Sequence, residues 1–265
     1  MTKKLFTSIA ASAILATSSL AHFQMMYTPN TALNKGKTIQ IKHVFTHPFE
    51  DFHTMDMAGV EEFYSITEKK GKVDLMKTLK PITWKGKSNS AKAFESKYKA
   101  RNMGDHVLVM TPTPYLEKEE GIYIQQITKT VINVAGVPNG WDATLGLKAE
   151  IVPLTKPYSI WEHGSFTGIV MSNGKPVPFA EIEVEYINNT PDMKNNAMGK
   201  NKYQAPHDSF PTMGIKANKD GEFTFSIPKA GFWGFCALGV GADKEYKGKE
   251  LSQDAVIWVE AKPMK

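Results

Sequence analysis

The chain is short of the residues that most often declare a function. Arg101 is its one arginine. The rest of the positive charge sits on scattered lysines, with a formal net charge of +5, so no basic stripe suited to a nucleic-acid backbone forms. Cys236 is the one cysteine, which excludes an intramolecular disulfide. Its setting in the apolar run 231–238 marks a core thiol rather than a reactive or ligating one. Beyond residue 21 no apolar run approaches the ~18 residues of a membrane-spanning helix, so the mature protein is expected to be soluble. The G-x-S-x-G elbow, the P-loop, the G-x-G-x-x-G turn and the H-E-x-x-H helix are all missing, and no enzymatic activity is expected.

What is present points to β structure and to export. Fifteen prolines, twenty glycines and an apolar fraction of 42% accompany many short runs of Val, Ile, Phe, Tyr and Thr, the composition of strands and turns. Residues 1–21 carry the parts of a secretory signal. Lys3 and Lys4 give a positive start, residues 5–17 are apolar and Ala-rich, and Ser19 and Ala21 are the small residues a signal peptidase needs. Cleavage after Ala21 would release a periplasmic protein with His22 as its first residue. The leader's two lysines would go with it, leaving a charge of about +3 on a chain that starts at +5.

Taken in order, the mature chain alternates short strands with turns. Residues 37–45 read as a half-buried strand, with Ile39, Ile41, His43 and Phe45 on one face. Further strands are expected at 82–84, 93–99, 106–111 and 123–134. Pro153 and Pro157 mark a linker, with a domain boundary near 153–162. After it, Asn173-Gly174 is a hairpin signal joining 166–171 to 180–186, and Asp220-Gly221 one joining 213–217 to 222–227. The intervening 188–211 reads as a long polar loop holding His207. Glu181, Glu183 and Glu185 alternate with apolar residues, which predicts a solvent-facing row. The expected fold is all-β: two β-sandwich-like domains in tandem after a cleaved signal peptide, at residues 22–155 and 160–265.

The chemistry gathers at the front. A terminal histidine offers two nitrogen donors, its α-amine and its imidazole, which can chelate one ion. The amine's pKa of about 7.7–8.0 makes its proton easy to displace, and Ni(II), Co(II) and Cu(II) favour nitrogen donors. The densest donor cluster follows at residues 47–57, with His47, Glu50, His53, Met55 and Met57. Pro48 ends the preceding strand there, so the cluster is expected in a loop. In one extended strand His43 and His47 would lie about 13 Å apart, at roughly 3.3 Å per residue, too far to share an ion. His43 is therefore read as structural and His47 as the candidate ligand. His106, at a strand start, is read as structural, and His207 as solvent-facing.

These residues also carry a family resemblance. Ala21-His22-Phe23, His47-Pro48-Phe49-Glu50, Met55-Asp56-Met57, residues 104–112, Pro114-Tyr115, Thr128-Lys129, Gly140-Trp141-Asp142, residues 150–154 with Pro157, residues 174–178 with 183–186, and residues 231–235 run in order along most of the mature chain. In these motifs the chain resembles the periplasmic components of bacterial nickel/cobalt uptake systems, a family defined by a domain of unknown function linked to nickel uptake. The second half is similar to transthyretin-like or carboxypeptidase-regulatory-like β-sandwiches, through Gly168, Val170, Gly174, Pro176, Ala180, Ile182, residues 220–225, Pro228 and Gly231.

The resemblance implies metal binding, with His22 and His47 on the matching positions. The expected role is capture of Ni2+ or Co2+ and delivery to a membrane metal transporter of energy-coupling-factor or ABC type. The resemblance does not say which side chains complete the site; from the residues themselves Met55, Met57, His53 or Glu50 would do so. Two alternatives stand beside it: Cu2+ on the same nitrogens, since copper outranks nickel at such ligands, and a metal-free adhesion or glycan-binding module.

Overall fold

The computed structural model describes residues 22–50 and 53–264. The expected leader, residues 1–21, lies outside them, as do Asp51 and Phe52 of the donor cluster. The described residues form strands and turns with no α-helix, and none of their helices is long and apolar enough to cross a membrane. In the first half the strands are β1 (Phe23–Tyr27), β2 (Ala32–Leu33), β3 (Lys37–Thr46), β4 (Thr54–Met55), β5 (Val60–Thr67), β6 (Gly71–Asp74), β7 (Lys80–Lys85), β8 (Ser90–Ala100), β9 (Gly104–Pro112), β10 (Tyr115–Glu117) and β11 (Ile122–Val134). The second half adds β12 (Glu150–Pro153), β13 (Ile160–Trp161), β14 (Ser165–Ser172), β15 (Lys175–Pro176), β16 (Glu181–Tyr186), β17 (Thr212–Lys216), β18 (Glu222–Ser226), β19 (Gly231–Ala237), β20 (Glu245–Tyr246) and β21 (Lys249–Lys262).

Three sheets result. The first runs β1-β3-β8-β7, with β4 also on β3. The largest runs β17-β16-β19-β21-β11-β9-β5-β6, and the third is β12-β14-β15 with β18 on β14. The all-β class read from the sequence is thus what the chain adopts. The two halves also share a sheet: β21, at the chain's end, pairs antiparallel with β19 and parallel with β11, from Tyr123 opposite Leu251 to Thr130 opposite Trp258. They share a core as well. Val107, Ile127 and Val131 of the first half pack in one apolar cluster with Phe166, Ile182, Phe235 and Ile257 of the second.

Three local expectations are corrected. Asn173 and Gly174 do form a tight turn, both with positive φ (48° and 75°), but the strand it returns is the short β15. The chain then crosses into the large sheet as β16, so residues 166–171 and 180–186 are not hairpin partners. The Asp220-Gly221 turn likewise joins β17 of the large sheet to β18 of the third. The predicted row of exposed carboxylates is graded: Glu181 is exposed, Glu183 half-buried and Glu185 only 2% exposed. Glu185 is covered because it accepts hydrogen bonds from the Thr212 hydroxyl and, at 3.2 Å, from the Phe49 main-chain N–H.

β1 places the site. It is the edge strand of the first sheet and pairs with β3, Gln24 opposite Phe45 and Phe23 opposite Thr46. Among the described residues no strand pairs with its other edge. Side chains of the large sheet replace one: the Gln24 N–H donates to Gln126 Oε1 at 2.6 Å, and the Gln24 carbonyl accepts from Trp258 Nε1 at 2.9 Å. Buried main-chain groups must find partners, and these contacts satisfy them. Phe23, Met25, Val44, Trp84 and Trp258 seal the gap between the sheets.

Candidate functional site

His22 immediately precedes β1, and His47 immediately follows β3. Because β1 and β3 are antiparallel with Phe23 opposite Thr46, the register carries both histidines to the same end of the sheet. Their ring centroids are 4.7 Å apart. Phe45 lies 5.6 Å from the His22 ring, and Tyr115 of β10 lies 6.4 Å away. His47 is 5% exposed. Burial, and after it the charge of His53, lowers the His22 pKa from 6.5 to about 4. The ring is therefore neutral at neutral pH, the form that ligates metals.

Glu117, at the end of β10, sets its Oε2 3.5 Å from His22 Nε2. Its Oε1 accepts the Glu119 N–H at 3.2 Å, which orients the carboxylate. From below, Gln126 of β11 donates Nε2–H to the His22 carbonyl at 2.7 Å while its Oε1 holds the Gln24 N–H. The same amide nitrogen lies 3.3 Å from both Asp254 Oδ2 and Cys236 Sγ, so the His22 backbone is tied to a buried polar cluster.

The other expected ligands scatter. His53 is exposed, near enough to act on the His22 charge; its carbonyl accepts from Thr46 Oγ1 at 3.3 Å. Met55 is not in a loop. It lies in β4 opposite Phe45, 2% exposed in the apolar core with Phe63 and Leu108. Met57 is also enclosed, and its Sδ accepts from Gln24 Nε2 at 3.6 Å. It lines a cavity of about 10 Å³ with Gln24, Tyr115 and Gln126, space for about one water. Glu50 lines a separate cleft of about 610 Å³ with Phe49, Asn201 and Tyr203. Its carbonyl accepts from Lys87 Nζ at 3.1 Å. Among the described residues no three His, Cys, Asp or Glu side chains come together to hold a metal ion. The side chains alone therefore offer the two imidazoles.

The histidines read as structural are enclosed. His43 bonds the Ser96 hydroxyl through Nε2 at 2.9 Å. His106 accepts through Nδ1 from the Tyr98 hydroxyl at 2.6 Å and donates through Nε2 to the Asn102 carbonyl at 2.9 Å. His207 is exposed and meets Ser209. Cys236 is fully buried, and burial first, then Asp254, holds its thiol well above the usual range, so it stays protonated.

Residues 19–241 match the family described as a domain of unknown function, DUF4198. The chain belongs to this family. His22, His47, Glu117 and Gln126 all fall inside the DUF4198 match. No curated protein matches the chain. Among solved structures it is similar to dimeric latent PorU from Porphyromonas gingivalis, with 9% identity over 91% of this chain and a TM-score of 0.24. It is also similar to the adhesin InvE of Yersinia pseudotuberculosis, with 12% identity over 88% of this chain and 58% of that one, TM-score 0.24. A third is Escherichia coli alpha-2-macroglobulin in its native conformation, with 8% identity over 93% of this chain and 14% of that one, TM-score 0.25. The chain spans 20% of the PorU chain. Likenesses this faint carry no argument about role.

Glu117, Tyr115 and Gln126 were not picked out by the sequence as parts of the site. One signal was there: Gln125-Gln126 interrupts a strand rich in Ile, Thr and Val. Glutamine inside a core strand needs hydrogen-bond partners, and here the partner is the main chain of residues 22–24.

Proposed function

We propose that this DUF4198 protein is exported, cleaved after Ala21, and binds a divalent Ni2+ or Co2+ ion through the His22 α-amine, the His22 imidazole and the His47 imidazole. The observation that carries the reading is the 4.7 Å separation of the two rings, reached by residues 25 positions apart in sequence through the β1–β3 register. In the uncleaved chain the His22 nitrogen is an amide and has no lone pair to give. Cleavage converts it to an amine beside an imidazole already held neutral. An all-nitrogen set of this kind suits borderline cations. With few donors the remaining coordination positions stay open, which suits capture and release over permanent storage. The cargo would pass to a membrane importer of energy-coupling-factor or ABC type, and the location would be the periplasm.

The test is calorimetric titration of the mature protein with Ni2+, repeated on a protein with one extra residue before His22. The extension turns the amine into an amide, so binding is expected to weaken by at least about tenfold. Equal affinity of the two proteins would overturn the chelate, and mass spectrometry of the exported protein showing a different first residue would do the same. Cu2+ fits the same nitrogens more tightly by the general affinity order, so the physiological cargo is read from growth that depends on nickel-requiring or copper-requiring enzymes.

A further inference from the structure

Resting on that reading, we infer that Glu117 and Gln126 are positioning residues for the His22 chelate. Only one ring nitrogen of His22 can share an ion with its α-amine. The α-amine and Nδ1 of one histidine flank the same short stretch of atoms and can close a small chelate ring on one ion. Nε2 points away from the main chain and cannot. Nε2 is the atom that faces the Glu117 carboxylate, 3.5 Å away. A carboxylate 3.5 Å from Nε2 favours the tautomer that carries its proton there, which leaves the Nδ1 lone pair for the metal. A carboxylate on the far nitrogen of a ligating histidine orients the ring and raises its basicity. Glu117 is itself fixed by the Glu119 N–H, and its side chain is 15% exposed beside a His22 side chain at 18%.

Gln126 acts on the other arm of the chelate. Direction of the α-amine depends on the His22 backbone, which no strand among the described residues fixes on that side. The Gln126 amide brackets it, accepting from the Gln24 N–H at 2.6 Å and donating to the His22 carbonyl at 2.7 Å. A chain terminus is otherwise where fraying concentrates. Gln126 is 2% exposed and anchored in turn on Asp254, so the clamp belongs to the rigid sheet. The two residues flank the β10–β11 hairpin, in which Glu117 pairs with Ile122. One hairpin thus sets both the ring and the main chain of His22.

The experiment uses the mature protein and the variants Glu117→Gln, Glu117→Ala and Gln126→Ala. Ni2+ affinity is measured by calorimetry, and the paramagnetic resonance spectrum of the Cu2+-loaded forms reports ligand geometry. Loss of such outer partners typically weakens metal binding about 10–100-fold. The neutral amide of Glu117→Gln keeps the contact and is expected near the lower end, with Glu117→Ala near the upper. Gln126→Ala is expected to weaken binding and to alter the nitrogen hyperfine pattern as the amine loses its fixed direction. Glu117 is half-buried at the end of a short strand and outside the apolar core, so its variants are expected to fold and keep the inference testable should Gln126→Ala not fold. Wild-type affinity and unchanged spectra in both Glu117 variants would overturn the inference, while the N-terminally extended protein separately decides whether the chelate exists. If extension abolishes binding and the Glu117 variants do not weaken it, the chelate stands and the positioning role falls.

Discussion

His43 is enclosed completely, packed edge-on against Phe63 at 4.8 Å, and its Nδ1 has no hydrogen-bond partner among the described residues. Burial, then the neighbouring Lys42 charge, lowers its pKa from 6.5 to about 3. The unfolded chain takes up a proton near pH 6.5, whereas the folded chain does so only near 3, so acidification through that window favours unfolding. Integrated from pH 7 to pH 5, this one histidine removes about 2 kcal/mol of stability. Glu183, raised by burial and then Asp254 to about 7, and Asp254, raised by burial to about 6, act with the opposite sign. They take up protons first in the folded state, so they favour folding as pH falls from those values towards the usual carboxylate range. The wild-type profile sums both effects and only a variant isolates one. Denaturant unfolding of His43→Asn at pH 7 and pH 5 is expected to show a loss about 2 kcal/mol smaller than that of the wild type. An equal loss in both would mean that His43 titrates normally. At this scale the sequence was informative where residue type decides the outcome. Period-two alternation put His43 among core residues, and a terminal histidine with His47 made a plausible pair. It was uninformative for Met55 and Met57, because a thioether reads the same as a ligand or as core, and only the β3–β4 pairing turns Met55 inward.

β11 and β12 are joined by the most enclosed ion pair among the described residues. Lys129 Nζ meets Glu150 Oε1 at 2.7 Å, with side-chain exposures of 1% and 0%. Burial lowers the Lys129 pKa, and Glu150 opposes that shift. The two partners are not equivalent. Glu150 also accepts main-chain N–H groups of Leu145, at 3.0 Å, and of Gly146, at 3.0 Å, and so pins the turn that leads into β12. Lys129→Met leaves a carboxylate that still has those donors. Glu150→Ala strands a buried ammonium and frees the turn as well. Removing one partner of a buried pair costs about 3–5 kcal/mol, so Glu150→Ala is expected at or above the top of that range and Lys129→Met at or below the bottom, measured as urea midpoints at pH 7. The reverse order would mean that the turn contributes little. Elements themselves were legible because strands and turns are local. Asn173-Gly174 and Asp220-Gly221 marked real turns, and residues 123–134 a real strand. Which sheet a strand joins after its turn was not legible. Alternation tells which face is apolar, and in a layered β protein either layer offers an apolar face. Glu185 failed for a related reason: the Phe49 loop and Thr212 that cover it are distant in sequence.

Across the whole molecule, the eight-residue parallel register between β11 and β21 decides how the chain unfolds. Parallel neighbours must be distant in sequence, so no local period could reveal that β21 returns to β11, the final strand of the first half. The core repeats the point, since Ile127 and Val131 pack with Phe235 and Ile257 across the Pro153–Pro157 segment. Two halves joined by a linker would melt separately, whereas halves sharing a sheet and a core melt together. Scanning calorimetry of the mature protein is therefore expected to give one transition whose calorimetric and van't Hoff enthalpies agree. Residues 160–265 produced alone would expose the β21 edge that β11 occupies, along the apolar stretch Ala255 to Trp258, each at most 2% exposed in the whole chain. An uncovered apolar edge is a template for association, so this fragment is expected to self-associate in sedimentation experiments. Two resolved melting transitions, or a monomeric fragment with dispersed amide resonances, would show that the halves fold independently. The position of His22 would then rest on the first half alone, and the Trp258 and Asp254 contacts that brace it would be dispensable.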